Sequence, residues 1–196
     1  MNTNVNQQVN NCTNRVSGSL GVGAFVRGLA VALMTLALTV FASAQGDTSL
    51  KFEGGIGVIP VSGVSATTGL PTLNVVRGVN PAGPWRIAAL DAVVTPDGHI
   101  LVKGRGLLLA AGNGIGTNAK ASVHATLFCG DAATAIAFDE AGVALDANGD
   151  FVIDDFLTGS GPVPNPCESP VLLVRSGKVA GQGVWFAAGV RKSDKD

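Results

Sequence analysis

Asp146, Asn148 and Asp150 alternate along LDANGDFVIDD, three oxygen-bearing side chains spaced like the first ligands of a calcium loop. Such a loop turns sharply on a Gly at its sixth position and completes its oxygen cage with a bidentate Glu at its twelfth. Counted from Asp146, those positions hold Phe151 and Leu157. The glycine stands at the fourth position instead, where Asn148-Gly149 offers the positive φ angles of a type I′ hairpin turn. A structural hairpin is therefore the first reading, and a weak calcium site at Asp146, Asn148 and Asp150 the alternative. No other cofactor is expected.

The likeness to the calcium loops of EF-hands and dockerins is partial, since both closing residues differ. Asp150 and Asp154 do not rescue it. At roughly 3.3 Å per residue they lie about 13 Å apart on one strand face, too far to share an ion.

Other candidate chemistry is thinner. In KGRGLLLAAGNGIGTNAK, Gly112, Gly114 and Gly116 lack the spacing of a phosphate-binding loop and no amphipathic helix follows. Gly104 and Gly106, alternating with Lys103 and Arg105, suggest a bulge or a close backbone approach on a strand with its basic side chains in water. His99 and His124 are the only histidines. No G-x-S-x-G elbow marks a nucleophile for either, so both read as surface or hydrogen-bonded strand residues. Glu53, Glu140 and Glu168 could in principle form a glycosidase pair, but nothing in the sequence sets two of them across a cleft. A small hydrolase built from scattered acids with His99 or His124 stays as an alternative.

The elements that would position these residues are strands. Short apolar runs alternate with Gly, Pro, Asn and Asp clusters, and no ten-residue stretch has helical periodicity. Expected strands cover 50–59, 72–79, 85–95, 99–109, 121–129, 133–138, 143–147, 150–156, 171–175 and 184–190. Type I′ hairpins are expected at Asp97-Gly98 and Asn148-Gly149. This predicts an all-β single domain, an antiparallel sandwich or barrel of about 8–10 short strands. NPAGP (80–84) and TGSGPVPNP (158–166) read as linkers. Trp85 and Trp185 read as core or edge packing, for the chain has no Tyr and no evident aromatic platform.

Residues 1–44 read as a secretory signal. Arg15 and Arg27 are the only charges, the apolar run GLAVALMTLALTVFASA follows, and Ala42-Ser43-Ala44 forms a small-x-small cleavage site. The 14 residues from Leu29 to Ala42 fall short of the roughly 20 that span a bilayer. No membrane span is expected after cleavage. Residues 45–196 then form the β-rich domain, periplasmic or extracellular, carrying eleven Lys and Arg against fourteen Asp and Glu. That net charge of −3 argues against nucleic acid as a partner. Between Lys120 and Arg175 there is no cation, and Asp131, Asp139, Glu140, Asp146, Asp150, Asp154, Asp155 and Glu168 read as a solvated acidic face. Cys129 and Cys167, the two cysteines left after the leader, are expected to pair in an oxidising compartment.

At FEGGIGVIPV, VVRGVNPAGPW, GRGLLLAAGNGIGT and VWFAAGV the chain resembles a group of exported bacterial proteins of unknown function, over most of residues 52–190. The resemblance implies an exported globular protein and brings no activity, ligand or catalytic residue with it. The functional expectation is a non-enzymatic binding or structural module. The hydrolase and a calcium-stabilised adhesion-like module are its alternatives, and an exposed apolar patch would mark a protein partner.

Overall fold

A computed structural model describes residues 49–132 and 136–192; the expected leader and the first three residues of the strand expected at 133–138 lie outside them. The described residues contain no helix, hence none long and apolar enough to cross a membrane. Thirteen strands run in chain order: β1 (Leu50–Gly57), β2 (Val61–Val64), β3 (Pro71–Leu73), β4 (Trp85–Arg86), β5 (Ala89–Val94), β6 (His99–Arg105) and β7 (Leu108–Leu109) come first. β8 (Ser122–Cys129), β9 (Ile136–Asp139), β10 (Val143–Ala144), β11 (Phe151–Phe156), β12 (Val171–Ser176) and β13 (Trp185–Arg191) complete the set.

Nine of them form one antiparallel sheet, in the order β10-β8-β12-β13-β1-β5-β6-β11, with β9 also on β8. The sheet curls into a half-barrel because its inner face is apolar along nearly every strand. In β5 and β6 the alternation buries Leu90, Ala92, Val94, Ile100 and Val102 and leaves Asp91 and Lys103 outside. Register brings Phe52 opposite Ala92 and Ile153 opposite Val102 on that same face. Gly104 supplies the close approach expected of it: a Cβ there would lie 2.0 Å from the Phe151 ring. The disulfide Cys129–Cys167 joins the end of β8 to the chain just before β12. Trp85 and Trp185 are both buried, Trp85 stacked on Phe186 at 4.3 Å between ring centroids.

Two expected strands break in the middle. Residues 85–95 divide into β4 and β5, and 99–109 into β6 and β7, because the β5–β6 hairpin bends where Gly106 adopts φ +63°. Past the bend Leu107 N–H bonds Gly149 O at 2.9 Å, and β4 pairs β7 as a separate ribbon. The strand expected at 72–79 is cut short at Leu73, and β2 was not foreseen at all.

The expected turn types are also corrected. At both sites the loop has three residues, Pro96-Asp97-Gly98 and Ala147-Asn148-Gly149, and only the glycine has positive φ. Gly98 N–H bonds Thr95 O and Gly149 N–H bonds Asp146 O, the pattern of a turn followed by a left-handed glycine. The side chain of Asp97 accepts from His99 N–H, so Asp97 favours this form through a local hydrogen bond without needing positive φ itself. Paired positive φ angles occur instead at Arg77 and Gly78, between Val76 and Val79, which exchange two backbone bonds of 2.9 and 3.1 Å.

Candidate functional site

LDANGD lies where the two ends of the curled sheet meet. β10 belongs to one end and β11 to the other, and the turn between them ties the ends through Asp146 N–H to Asp150 O at 3.0 Å. A second tie is the antiparallel bridge between Asp139 and Thr158. We call this line of closure the seam.

The three candidate ligands serve the turn. Asp146 Oδ1 accepts Asn148 N–H at 2.7 Å and Asp150 N–H at 2.9 Å, the local bonding that lets aspartate mimic a backbone turn. Asp150 Oδ1 accepts Gly106 N–H at 2.8 Å, which fixes the bend in the β5–β6 hairpin. Asn118 Nδ2 donates to Asp146 O at 2.5 Å from the neighbouring loop. Among the described residues no three His, Cys, Asp or Glu side chains gather as a metal-holding group.

A few residues upstream of LDANGD the seam encloses a polar cluster, and here the solvated-face expectation fails for two acids. Asp139 and Glu140 are buried, together with His124, Thr126 and Arg175. The cause is a bulge: β8 pairs β10 up to Val123 and β9 from Thr126, so two residues of β8 face Glu140, Ala141 and Gly142. The ladder is interrupted there, and Ala125 N–H would be an orphan inside the protein. Glu140 Oε1 reaches in to accept it at 2.6 Å. A carboxylate thus takes the place of a missing strand carbonyl.

Asp139 collects the neighbouring donors. Its Oδ1 accepts the Thr126 hydroxyl and lies 3.5 Å from both His124 Nε2 and Arg175 Nη1. Arg175, opposite His124 on β12, also donates to Thr126 Oγ1 at 3.3 Å and Gly183 O at 3.1 Å. His124 Nδ1 stands 3.3 Å from Gly177 O. Burial works against the Asp139 anion, but hydrogen bonds from His124, Thr126 and Gly181 and the Arg175 charge outweigh it and hold the carboxyl below its ordinary range. Glu140 goes the other way. Burial pushes its carboxyl up to about 7 against the Ala125 bond and His124, with Asp155 and Asp139 adding repulsion. Its second oxygen is buried without a hydrogen-bond partner.

Chemically this group has a histidine, an acid and a hydroxyl within reach, but His124 and Thr126 are fully covered, so a substrate would have to open the fold to touch them. The remaining histidine, His99, pairs with Asp154 at 2.7 Å and packs beside Phe156 on the outer sheet face. Beside it, a shallow outer-face depression of about 190 Å³ is lined by Lys51, Glu53, Asp91, Val93, Leu101 and Lys103, opposite charges interleaved.

A second exceptional region went unnoticed in the sequence. β2 and β3 form a ribbon of their own, and every residue of both strands is exposed. Ile59, Val61, Val64, Leu70, Leu73 and Val75 are six of the thirteen large exposed apolar side chains among the described residues. The signal that could have found it is charge: Gly54–Val76 is 23 residues without one, the longest such run in the sequence.

No family model matches the chain, and neither the curated proteins nor the solved structures contain a match.

Proposed function

We propose that the chain is an exported, non-enzymatic binding module that makes its contact through the β2–β3 arm. The observation that carries this reading is the concentration of exposed apolar side chains on a ribbon that the sheet does not cover. Water-facing apolar surface of this extent marks an interaction site in a soluble domain. The chemistry-bearing side chains support the same reading. Asp146 and Asp150 hold backbone amides, and His124, Thr126, Asp139, Glu140 and Arg175 are enclosed. Export is supported by the order of parts in residues 1–44, and the Cys129–Cys167 disulfide is compatible with an oxidising compartment.

A photo-crosslinking side chain placed at Val64, and separately at exposed Val152 on the outer sheet face, tests this in exporting cells. The expected outcome is a discrete adduct from position 64 and none from 152. No adduct from 64 would sink the binding-module reading.

A further inference from the structure

Three glycines of the described chain follow an aspartate or an asparagine: Gly98 after Asp97, Gly114 after Asn113 and Gly149 after Asn148. At such a pair the side-chain carbonyl carbon lies one ring closure away from the next backbone nitrogen. Glycine, without a Cβ, leaves that approach unhindered. Reaction then depends on the nitrogen, because an N–H held in a hydrogen bond inside the fold must be released before it can attack.

Two of the three are held. Gly149 is buried so closely against Leu107 that an added Cβ would overlap Leu107 O, and its N–H bonds Asp146 O at 3.0 Å. Gly98 is buried as well, with its N–H bonded to Thr95 O at 2.9 Å. Gly114 differs. Its neighbours Ile115, Gly116 and Thr117 donate to Gly112 O, Leu109 O and Gly114 O, but Gly114 N–H has no hydrogen-bond partner among the described residues. The side chains of Asn113 and Asn148 are both exposed and both unbonded there, so the two Asn-Gly pairs differ at the glycine nitrogen.

Independently of the binding-module reading, we infer that Asn113 is a site of self-modification, deamidating through a cyclic imide with Gly114, while the seam preserves Asn148. The Gly114 nitrogen gives its proton to solvent, and its electron pair forms a bond to Asn113 Cγ. The Cγ–Nδ2 bond breaks, and ammonia leaves with a proton taken from solvent. Water then adds to either carbonyl of the five-membered ring and opens it, giving aspartate or isoaspartate at position 113. One amide and one water become one carboxylic acid and one ammonia, with nothing oxidised or reduced.

The loop accommodates either product. Leu109 N–H to Thr117 O and Gly116 N–H to Leu109 O, both 2.9 Å, close its neck, and Ala111, Gly112, Asn113 and Ile115 beyond the neck are exposed. Isoaspartate lengthens the backbone by one atom. At position 113 that atom falls outside the neck bonds, whereas at 148 it would fall inside the turn through which Asp146 holds Asp150.

Peptide mapping by mass spectrometry of the purified full chain, aged in mildly alkaline buffer with and without urea, tests the inference. In the folded chain the peptide containing Asn113 should gain the mass of an amide-to-acid exchange, divided between aspartate and isoaspartate, at a rate close to that of a synthetic peptide GNGIG. Asn148 should react slower by roughly tenfold or more, since its reaction waits for local opening. Urea should bring the two rates together. Equal rates in the folded chain overturn the inference, as does an Asn113 that survives while the synthetic peptide reacts. Aspartate at 113 without isoaspartate overturns the cyclic imide, and a difference that persists in urea overturns the protection by the seam.

Discussion

At the seam Asp139, Glu140, His124 and Arg175 are buried, whereas on the arm Val61, Val64 and Leu73 stand in water. Both regions contain a β-bulge, and the two bulges have opposite consequences. Across from Ala125 the extra residue breaks the ladder and draws a carboxylate inside to repair it. At Ser62 the extra residue leaves the ribbon intact and turns two valines to the same side. The seam's exceptions are largely answered within the molecule: Asp139 gathers Thr126, His124 and Arg175, and Glu140 takes the Ala125 N–H, although one Glu140 oxygen, His124 Nε2 and Arg175 Nε are buried without a hydrogen-bond partner. The arm's exceptions have no answer within it, and that difference directs the search for a contact outward.

The largest effect that could break this contrast lies at Asp139. Asp139→Ala would leave the Arg175 guanidinium and His124 buried without their acid, a change worth about 3–5 kcal/mol when one member of a buried pair is removed. Denaturant unfolding at neutral pH measures it, and a loss under about 1 kcal/mol, the range of exposed pairs, would mean that the cluster is solvated.

The next effect is a pH dependence with two limbs. The Asp139 carboxyl is held below its ordinary value of 3.8, so its contribution is present above that pH and is lost as pH falls further. The Glu140 carboxyl is raised from 4.5 to about 7, so its contribution is complete below 4.5 and is lost as pH rises through 7. Stability should therefore fall between pH 5 and 8 in the native chain, and Glu140→Gln, which keeps an acceptor for Ala125 N–H, should flatten that limb. An unchanged slope in the variant would place the titration elsewhere. The smallest effect belongs to the arm: Val64→Lys with Leu73→Lys, both exposed, should unfold within about 0.5 kcal/mol of the parent chain, as surface substitutions do.

Much of the half-barrel was legible where burial alternates, as in Ala89–Val94 and His99–Arg105, and because the two cysteines beyond residue 44 admit one pairing. The bends at Gly106 and Leu73 were not legible, since they depend on hydrogen bonds to distant carbonyls such as Gly149 O. The burial of Asp139 and Glu140 was hidden for a related reason. In sequence they belong to an acidic run, and their donors come from β8 and β12, joined only by register. β2 escaped because VSGV has neither the length nor the alternation of a strand, although its lack of charge was plain. The candidate ligands of LDANGD were legible as a turn, while their place at the closure of the sheet was not.

The Cys129–Cys167 link also has a mechanical meaning. It encloses β9, β10 and β11, so both sides of the seam belong to one covalent ring. A pull on the two ends of the oxidised chain passes from β8 through the sulfurs into β12 and never loads that ring. A separation of 38 residues withholds roughly 130 Å of extended chain. The turn at LDANGD and the carboxyls of Asp139 and Glu140 are thereby taken out of the covalent line of force, while their partners His124, Thr126 and Arg175 on β8 and β12, like the arm between β1 and β4, lie in it.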